Sequence, residues 1–132
     1  MTGTAKRSAA EAGITIEPNP RLVIVRLDDI VIADSTRALV MRAPDTPPVQ
    51  YVPREDVDMA RLTRTSLVTH CPYKGDAAYW SIRTGERVVD NAVWSYETPF
   101  DEVAAIRKHM AFYPDRVTSI EERPSPSTAP AR

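Results

Sequence analysis

One short stretch of the chain, THCPYKGDAAYW at residues 69–80, contains most of the side chains suited to chemistry. It includes Cys71, the one cysteine of the sequence, and Lys74 follows three residues later. A thiolate is the nucleophilic form of cysteine, and a nearby ammonium group favours it. A turn over residues 72–75 would bring these two side chains together. One hypothesis is therefore a small enzyme in which either Cys71 is the nucleophile or Tyr73 is a general acid. In it Lys74 tunes the pKa of the reacting group, and an arginine holds the anionic group of the substrate.

Cys71 also has a purely structural interpretation. Free cysteine is among the most buried residue types, so a small hydrophobic role in a core is the commoner outcome. His70 is a poor base for Cys71, because neighbouring side chains on an extended segment point to opposite faces. A residue before proline favours that extended conformation. The sequence leaves both interpretations of Cys71 open.

Arginine and aromatic residues predict a pocket for a small anionic molecule. Guanidinium groups bind carboxylate or phosphate through paired hydrogen bonds, although an arginine close to acidic residues also pairs within its own protein. Aromatic rings on neighbouring strands either pack against each other or stack on a planar ligand. The predicted ligand-binding residues are Arg37, Arg54, His70, Asp76, Tyr79 and Trp94.

The sequence predicts no metal site and no cofactor. Zinc sites use closely spaced cysteine and histidine ligands, whereas this chain has one cysteine and two distant histidines, His70 and His109. The sequence contains no phosphate-binding glycine loop and no nucleophile elbow. Hydrolytic chemistry by paired carboxylates needs a defined separation between them, which sequence alone does not give.

The composition is that of an ordinary globular protein. The 132 residues are 42% hydrophobic and 27% charged, with 17 basic and 18 acidic side chains. This balanced charge without a basic run argues against a surface for nucleic acid or anionic membranes. The chain has neither a signal-peptide pattern nor an apolar run long enough to span a bilayer, and one cysteine cannot form an intramolecular disulfide. We expect a cytoplasmic monomer or homodimer that binds neither nucleic acid nor membrane.

Runs of β-branched residues bounded by turn residues predict strands. Residues 21–27 and 30–34 flank Asp28-Asp29, and residues 79–83 and 87–94 flank a glycine-containing turn, so each pair predicts a hairpin. Residues 49–52 predict a strand that ends at Pro53, which is typical of a sheet edge.

One helix is predicted near the C-terminus. Thr98 suits an N-cap, and the proline after it suits the first helical position. Val103, Ile106 and Met110 then share one face of a helix, and Pro114 ends the pattern.

The fold prediction is a mainly β protein with a minor α component. We expect a single compact antiparallel domain of two curved layers with one C-terminal helix, spanning residues 15–121. Residues 1–14 are small and polar and predict a flexible tail. Residues 122–132 are rich in Pro, Ser and Ala and predict a disordered one.

Five segments in order resemble one known family. They are VIADSTRALV (31–40), PPVQYVPREDV (47–57), THCPYKGDAAYWS (69–81), VVDNAVWSYETP (88–99) and AAIRKHMAFYPDRV (104–117). The chain is similar to the bacterial and fungal family catalogued as domain of unknown function 427. The resemblance implies a compact, mainly β domain and no particular activity. The family is sometimes labelled nucleotidyltransferase-like, but the Gly-Ser and paired-aspartate pattern of common nucleotidyltransferases is absent here.

Three functional hypotheses follow. The first is a domain that binds a small anionic molecule in a pocket near the THCPYKG loop. The second is the enzyme with Cys71 or Tyr73 in its active site. The third is a protein-interaction module that uses the proline-rich segment APDTPPV (43–49).

Overall fold

The chain folds almost entirely into β-structure. The computed structural model describes residues 7–124, which contain ten strands and three short 3-10 helices. The strands are β1 (Thr15–Pro18), β2 (Leu22–Leu27), β3 (Ile30–Ser35), β4 (Leu39–Arg42), β5 (Val49–Pro53), β6 (Leu62–Cys71), β7 (Gly75–Thr84), β8 (Arg87–Tyr96), β9 (His109–Phe112) and β10 (Ser119–Arg123). The 3-10 helices are Arg54–Asp56, Met59–Arg61 and Asp101–Ile106.

The strands form two antiparallel sheets. The large sheet has seven strands in the order β1-β4-β5-β9-β8-β7-β6, and the small sheet has three in the order β10-β2-β3. Every neighbouring pair of strands is antiparallel. The predicted mainly β class is therefore confirmed. Within residues 7–124, no helix is long and apolar enough to cross a membrane.

Both predicted hairpins are present, and each turn contains a residue in the left-handed region. Asp28 adopts φ 56° between β2 and β3, a conformation that aspartate tolerates better than most residues. Its backbone N–H donates to Thr118 Oγ1 at 2.7 Å, and Arg87 Nη1 donates to its carboxylate at 2.7 Å. Gly85 adopts φ 62° between β7 and β8, where glycine carries no steric cost.

The large sheet packs on both faces, so its side chains alternate between two hydrophobic cores. On β7, Ala78 and Trp80 belong to the inner core, whereas Ala77 and Tyr79 belong to the outer core. The inner core also takes residues from the small sheet, among them Val23, Val25, Leu27 and Ile32. The outer core includes Tyr51, Tyr96, Val103, Ile106 and Ala111.

Two bulges flank the centre of β7. On β6 the chain advances four positions from Arg64 to Val68 while β7 advances two. A matching shift lies on β8 at Asn91, which adopts φ 48°. Thr65 Oγ1 donates to Asn91 Oδ1 at 2.6 Å, which joins the two bulges. Since each bulge adds an even number of residues, the alternation of faces is the same on both sides of it.

The predicted C-terminal helix is wrong beyond its first turns. Asp101–Ile106 is a 3-10 helix in which Val103 departs from helical dihedrals, and Lys108 then adopts φ 60°. His109–Phe112 forms β9, which lies between β5 and β8. The periodicity identified the buried residues Val103, Ile106 and Met110 correctly. It could not separate one long helix from a helical turn followed by a strand that is buried on both faces.

The prediction that the strand ending at Pro53 lies at an edge is also wrong. β5 lies inside the large sheet, between β4 and β9. Its last two residues pair with β9, Val52 with Met110 and Pro53 with His109. The proline is tolerated because the strand ends there and a 3-10 helix follows at Arg54.

Part of the predicted N-terminal tail contacts the domain. Glu102 Oε1 accepts a hydrogen bond from the backbone N–H of Ala9 at 2.7 Å, and its other oxygen accepts from the Ser8 hydroxyl at 2.9 Å. Ala9 is buried in the outer core. Residues 1–6 lie outside the described residues. At the other end, Glu122 and Arg123 belong to β10, and the predicted tail from residue 125 onward lies outside the described residues.

The burial of β9 can be measured by truncating Met110, which is fully buried. We expect Met110→Ala to lower the free energy of unfolding by about 2–5 kcal/mol, because it leaves a cavity in the inner core. Val88→Ala is the control, since Val88 is 48% exposed and its truncation should cost less than about 1 kcal/mol. Urea denaturation gives both values. Equal, small effects would contradict a buried β9.

Candidate functional site

The large sheet divides the predicted site residues between its two faces. Residues that stand directly opposite on paired strands share a face, and His70 is paired with Asp76 while Cys71 is paired with Gly75. Cys71 and Tyr73 pack against the outer core. Asp76 lies on the same face of β7 as Ala78 and Trp80. The motif THCPYKG therefore places His70 on one face of the sheet and Cys71 and Tyr73 on the other.

The predicted catalytic residues Cys71, Tyr73 and Lys74 lie at the outer face. Cys71 is half-buried beside the outer core. Lys74 extends to Tyr96, where Nζ lies 5.9 Å from the ring centroid. His70 Nδ1 instead donates a hydrogen bond to Asp76 Oδ1 at 2.8 Å. This arrangement agrees with the sequence argument that His70 is not the base for Cys71.

Tyrosines and one tryptophan form a linked group on the outer face. The Tyr79 hydroxyl lies 2.9 Å from Thr69 Oγ1, and its ring stacks parallel to Tyr113 at 6.4 Å. Trp94 lies 4.5 Å from the Tyr113 ring, and its Nε1 donates to the Tyr51 hydroxyl at 3.3 Å. Tyr79 is buried and its hydroxyl and ring contact other residues of the protein, whereas Trp94 is half-buried. Of the two predicted stacking residues, Trp94 is the one that a ligand can reach.

Arg37, in the loop between β3 and β4, belongs to a separate ion pair. Its guanidinium contacts both oxygens of Asp56, at 3.1 Å and 3.3 Å, and Ser35 Oγ donates to the same carboxylate at 2.6 Å. Partial burial alone would raise the pKa of Asp56, but the hydrogen bonds from Ser35 and Arg37 outweigh it and lower that pKa below its usual value. Arg37 is thus occupied by its own protein.

Arg54 contributes to a cationic cluster around Trp80, here called the arginine–tryptophan site. Arg54 Cζ lies 5.2 Å from the Trp80 ring centroid, and Arg64 Cζ lies 5.5 Å from it. Arg54 also donates to Glu97 Oε2 at 2.6 Å and to Ser95 Oγ at 3.3 Å. The site consists of Arg54, Arg64, Trp80, Ser95 and Glu97.

Of these five residues, sequence reasoning named Arg54 as a site residue but not Arg64, Trp80, Ser95 or Glu97. Arg64 stands directly opposite Trp80 on β6, before the bulge. Strand β6 carries mostly exposed polar residues in this half, so it lacks the hydrophobic alternation that marks a strand. Its register with β7 was therefore not readable, although a cross-strand pair of Arg64 and Trp80 is a favourable one.

A cavity of about 240 Å³ adjoins the arginine–tryptophan site. Arg64, Asp76 and Glu97 contribute its charged groups. Glu97 is paired with Arg54, and Asp76 is hydrogen-bonded to His70. Among the described residues, Arg64 has no ion pair, and the buried Nε of Arg54 has no hydrogen-bond partner. Arg64 is the guanidinium that lines the cavity and is open to a small anion.

The arrangement of possible metal ligands was compared with what a metal ion needs. In the part of the chain between residues 7 and 124, no three His, Cys, Asp or Glu side chains lie close enough together to hold a metal ion. His109 Nδ1 lies 3.0 Å from the backbone carbonyl oxygen of Arg107.

Burial of Tyr51 in the outer core should make the protein less stable at alkaline pH. Burial raises the pKa of Tyr51 to about 12, whereas an unfolded tyrosine ionises near pH 10. The unfolded state therefore releases the Tyr51 proton first, and stability falls as pH rises from the unfolded towards the folded pKa. We expect the ionisation of Tyr51 in the unfolded state to lower the free energy of unfolding by about 1 kcal/mol between pH 10 and pH 11. The measurement is urea unfolding at the two pH values, and Tyr51→Phe should show a correspondingly smaller fall.

Cys71 labelling tests the enzyme hypothesis. Because Cys71 is half-buried and Lys74 extends to Tyr96, we expect a thiol reagent to react with native protein at least about tenfold more slowly than with urea-unfolded protein. Lys74→Gln should leave the native rate unchanged. Intact mass measures the rates between pH 6 and pH 9. Fast native labelling that Lys74→Gln slows would instead identify an activated nucleophile.

The comparison with known proteins agrees with the sequence resemblance. Residues 15–123 match the model of a family described as Domain of unknown function (DUF427), a range that runs from the first strand of the fold to the last. No curated protein is significantly similar to the chain. With most of its length matched to this one family model, the chain belongs to the DUF427 family.

Proposed function

We propose that the protein binds a small organic anion, most simply a carboxylate, at the arginine–tryptophan site. One observation carries this proposal: two guanidinium groups lie against the Trp80 ring, and Arg54 is paired with Glu97 whereas Arg64 has no ion pair among the described residues. Of the two carboxylates that line the cavity, Glu97 is paired with Arg54 and Asp76 is hydrogen-bonded to His70, so the Arg64 guanidinium is left for a ligand. Arg64 would supply the paired donors that a carboxylate needs.

The two arginines have different parts in the proposed site. Arg54 is held in place by Glu97, Ser95 and Trp80, so its position is fixed before any ligand arrives. Arg64 is exposed and contacts Trp80. We infer that Arg64 is the contact residue and that Arg54 adds positive potential from behind the ring.

The size of the cavity limits the ligand. Its volume of about 240 Å³ lies below the range of about 300–1,000 Å³ that is usual for sites of drug-sized molecules. A single ring or a short chain with one acidic group fits this volume. A nucleotide or a larger phosphorylated cofactor does not fit, and the ligand we propose is accordingly a small carboxylate.

The other two hypotheses stay predictions. The enzymatic one depends on Cys71, whose labelling is described above. The interaction module would use the loop between β4 and β5, where residues 44–48 are exposed.

The binding experiment uses benzoate, a ring with one carboxylate, and isothermal titration. We expect a dissociation constant on the order of 1 mM, which is typical of a ligand of this size. The affinity should fall as salt is added, because Arg64 is exposed to screening. Arg64→Gln should weaken binding at least about tenfold, by removing the guanidinium fork.

Arg83→Gln is the matched control. Arg83 is an exposed arginine on β7, outside the arginine–tryptophan site, and its substitution removes the same charge from the protein. Binding that both variants weaken equally would reflect net charge alone and would refute the proposed site. Binding that neither variant changes would refute it as well.

A further inference from the structure

Strand β5 is an interior strand that lacks a partner along half of one side. It pairs with β4 through Leu39–Tyr51, Val40–Gln50 and Met41–Val49. On its other side it pairs with β9 through Val52 and Pro53 alone. The same register would continue with Tyr51 opposite Ala111 and Gln50 opposite Phe112. Those pairs are not formed, and Ala111 and Phe112 pair with Trp94 and Val93 of β8, on the other side of β9.

The divergence of β5 and β9 opens a gap that exposes backbone groups. Successive residues of a strand direct their N–H and C=O groups to alternate sides. At least one residue of Val49–Tyr51 therefore directs both groups towards the gap, where no strand accepts them. Buried backbone groups are nearly always hydrogen-bonded in proteins, to the protein, to water or to a ligand. In the gap, a ligand with hydrogen-bonding groups along one edge can bind the free backbone groups of β5 in the way that a neighbouring strand would.

The gap contains a cavity of about 560 Å³, which is within the usual range of small-molecule sites. Trp94, Phe112 and Val49 contribute its apolar walls, together with two prolines, Pro48 and Pro114. The Trp94 ring is held by its hydrogen bond to Tyr51 and by its contact with Tyr113. An aromatic wall that is already fixed favours a flat ligand.

The polar groups of the cavity determine which charge the ligand carries. Glu122 lines it, and among the described lining residues there is no lysine or arginine. Asn19 Nδ2 donates to Gln50 Oε1 at 2.9 Å and to Glu122 Oε1 at 3.1 Å. Because Gln50 Oε1 is the acceptor there, its amide N–H groups remain as donors on the cavity wall. Glu122 is paired with Arg21, whose Nε lies 3.7 Å from its carboxylate. A negative ligand would therefore meet no cation on the cavity wall, whereas an uncharged one with an acceptor would be bound by the Gln50 amide.

We propose that this gap binds a planar, uncharged molecule with an amide-like edge, packed against Trp94. The edge bonds to the backbone groups within Val49–Tyr51 that face the gap and to the Gln50 side chain. The site is distinct from the arginine–tryptophan site in its residues and in its charge. It does not depend on the anion-binding proposal, since the two sites have no residue in common.

The chain contains two tryptophans, and each proposed site holds one, so their indole N–H signals report the two sites separately. We propose titrating ¹⁵N-labelled protein with benzamide and, in parallel, with benzoate, which has the same ring and a negative charge. Trp80→Phe and Trp94→Phe assign the two signals. Benzamide should shift the Trp94 signal with a dissociation constant on the order of 10 mM or tighter, as expected for so small a molecule.

Gln50→Glu is the discriminating variant. It keeps an oxygen to accept the hydrogen bond from Asn19, but it removes the amide donors and adds a negative charge beside Glu122. We expect it to weaken benzamide binding at the Trp94 signal about tenfold or more. Arg64→Gln is the control and should leave benzamide binding unchanged.

Three results would overturn the gap as a binding site. The first is no response of the Trp94 signal to benzamide at concentrations of about 20 mM. The second is an equal response of that signal to benzoate. The third is unchanged benzamide binding in Gln50→Glu, with the fold verified by the dispersion of the amide spectrum. A response of the Trp80 signal to benzoate concerns the other site, so the two proposals succeed or fail separately.

Discussion

The large sheet is continuous because β9, a strand of four residues, pairs on both of its sides. Its first two residues bind β5, and its last two bind β8. Without them the large sheet would divide into a three-stranded part with β1, β4 and β5 and a three-stranded part with β6, β7 and β8. The burial of Met110, Ala111 and Phe112 holds this junction in place. The short pairing with β5 is also what leaves the gap beside Trp94.

The same sheet sets the chemistry of the two faces. Since both faces are covered by hydrophobic cores, a polar side chain reaches solvent only near the margins of the sheet. Arg64 and Asp76 are at such a margin on the inner face, while Cys71 and Tyr73 are at one on the outer face. Residues that are adjacent in sequence therefore lie in different environments. The inner-face margin has paired charges, and the outer face has tyrosines with raised pKa values.

The sequence predicted five of the ten strands, β2, β3, β5, β7 and β8. Both hairpins were found because their turns are marked by residues that tolerate a positive φ, Asp28 and Gly85. The strand β9 was mistaken for helix because a strand buried on both faces does not alternate, and the run from Val103 to Met110 fits a helical period as well. Local patterns carry no information about which strand a short apolar run will pair with.

The candidate site was predicted in part. Arg54 and Trp94 each line or adjoin a cavity in the structure, and His70 and Asp76 do form a pair. Arg37 is instead bonded to Asp56. Arg64 could not be found, because its role depends on the register of β6 against β7. That register is interrupted by a bulge, and no residue type in the segment indicates where the bulge lies.

The bulge of β6 has a consequence for how this segment can change in length. It adds two residues to β6 relative to β7, so the strand beyond it keeps the parity it would have without a bulge. Loss or gain of one residue there would turn every following side chain over, placing Cys71 among the charges and His70 among the tyrosines. Loss or gain of two would preserve both. Insertions and deletions in this segment therefore preserve the two faces only when they change its length by an even number of residues. The constraint is on the number of residues and not on their type.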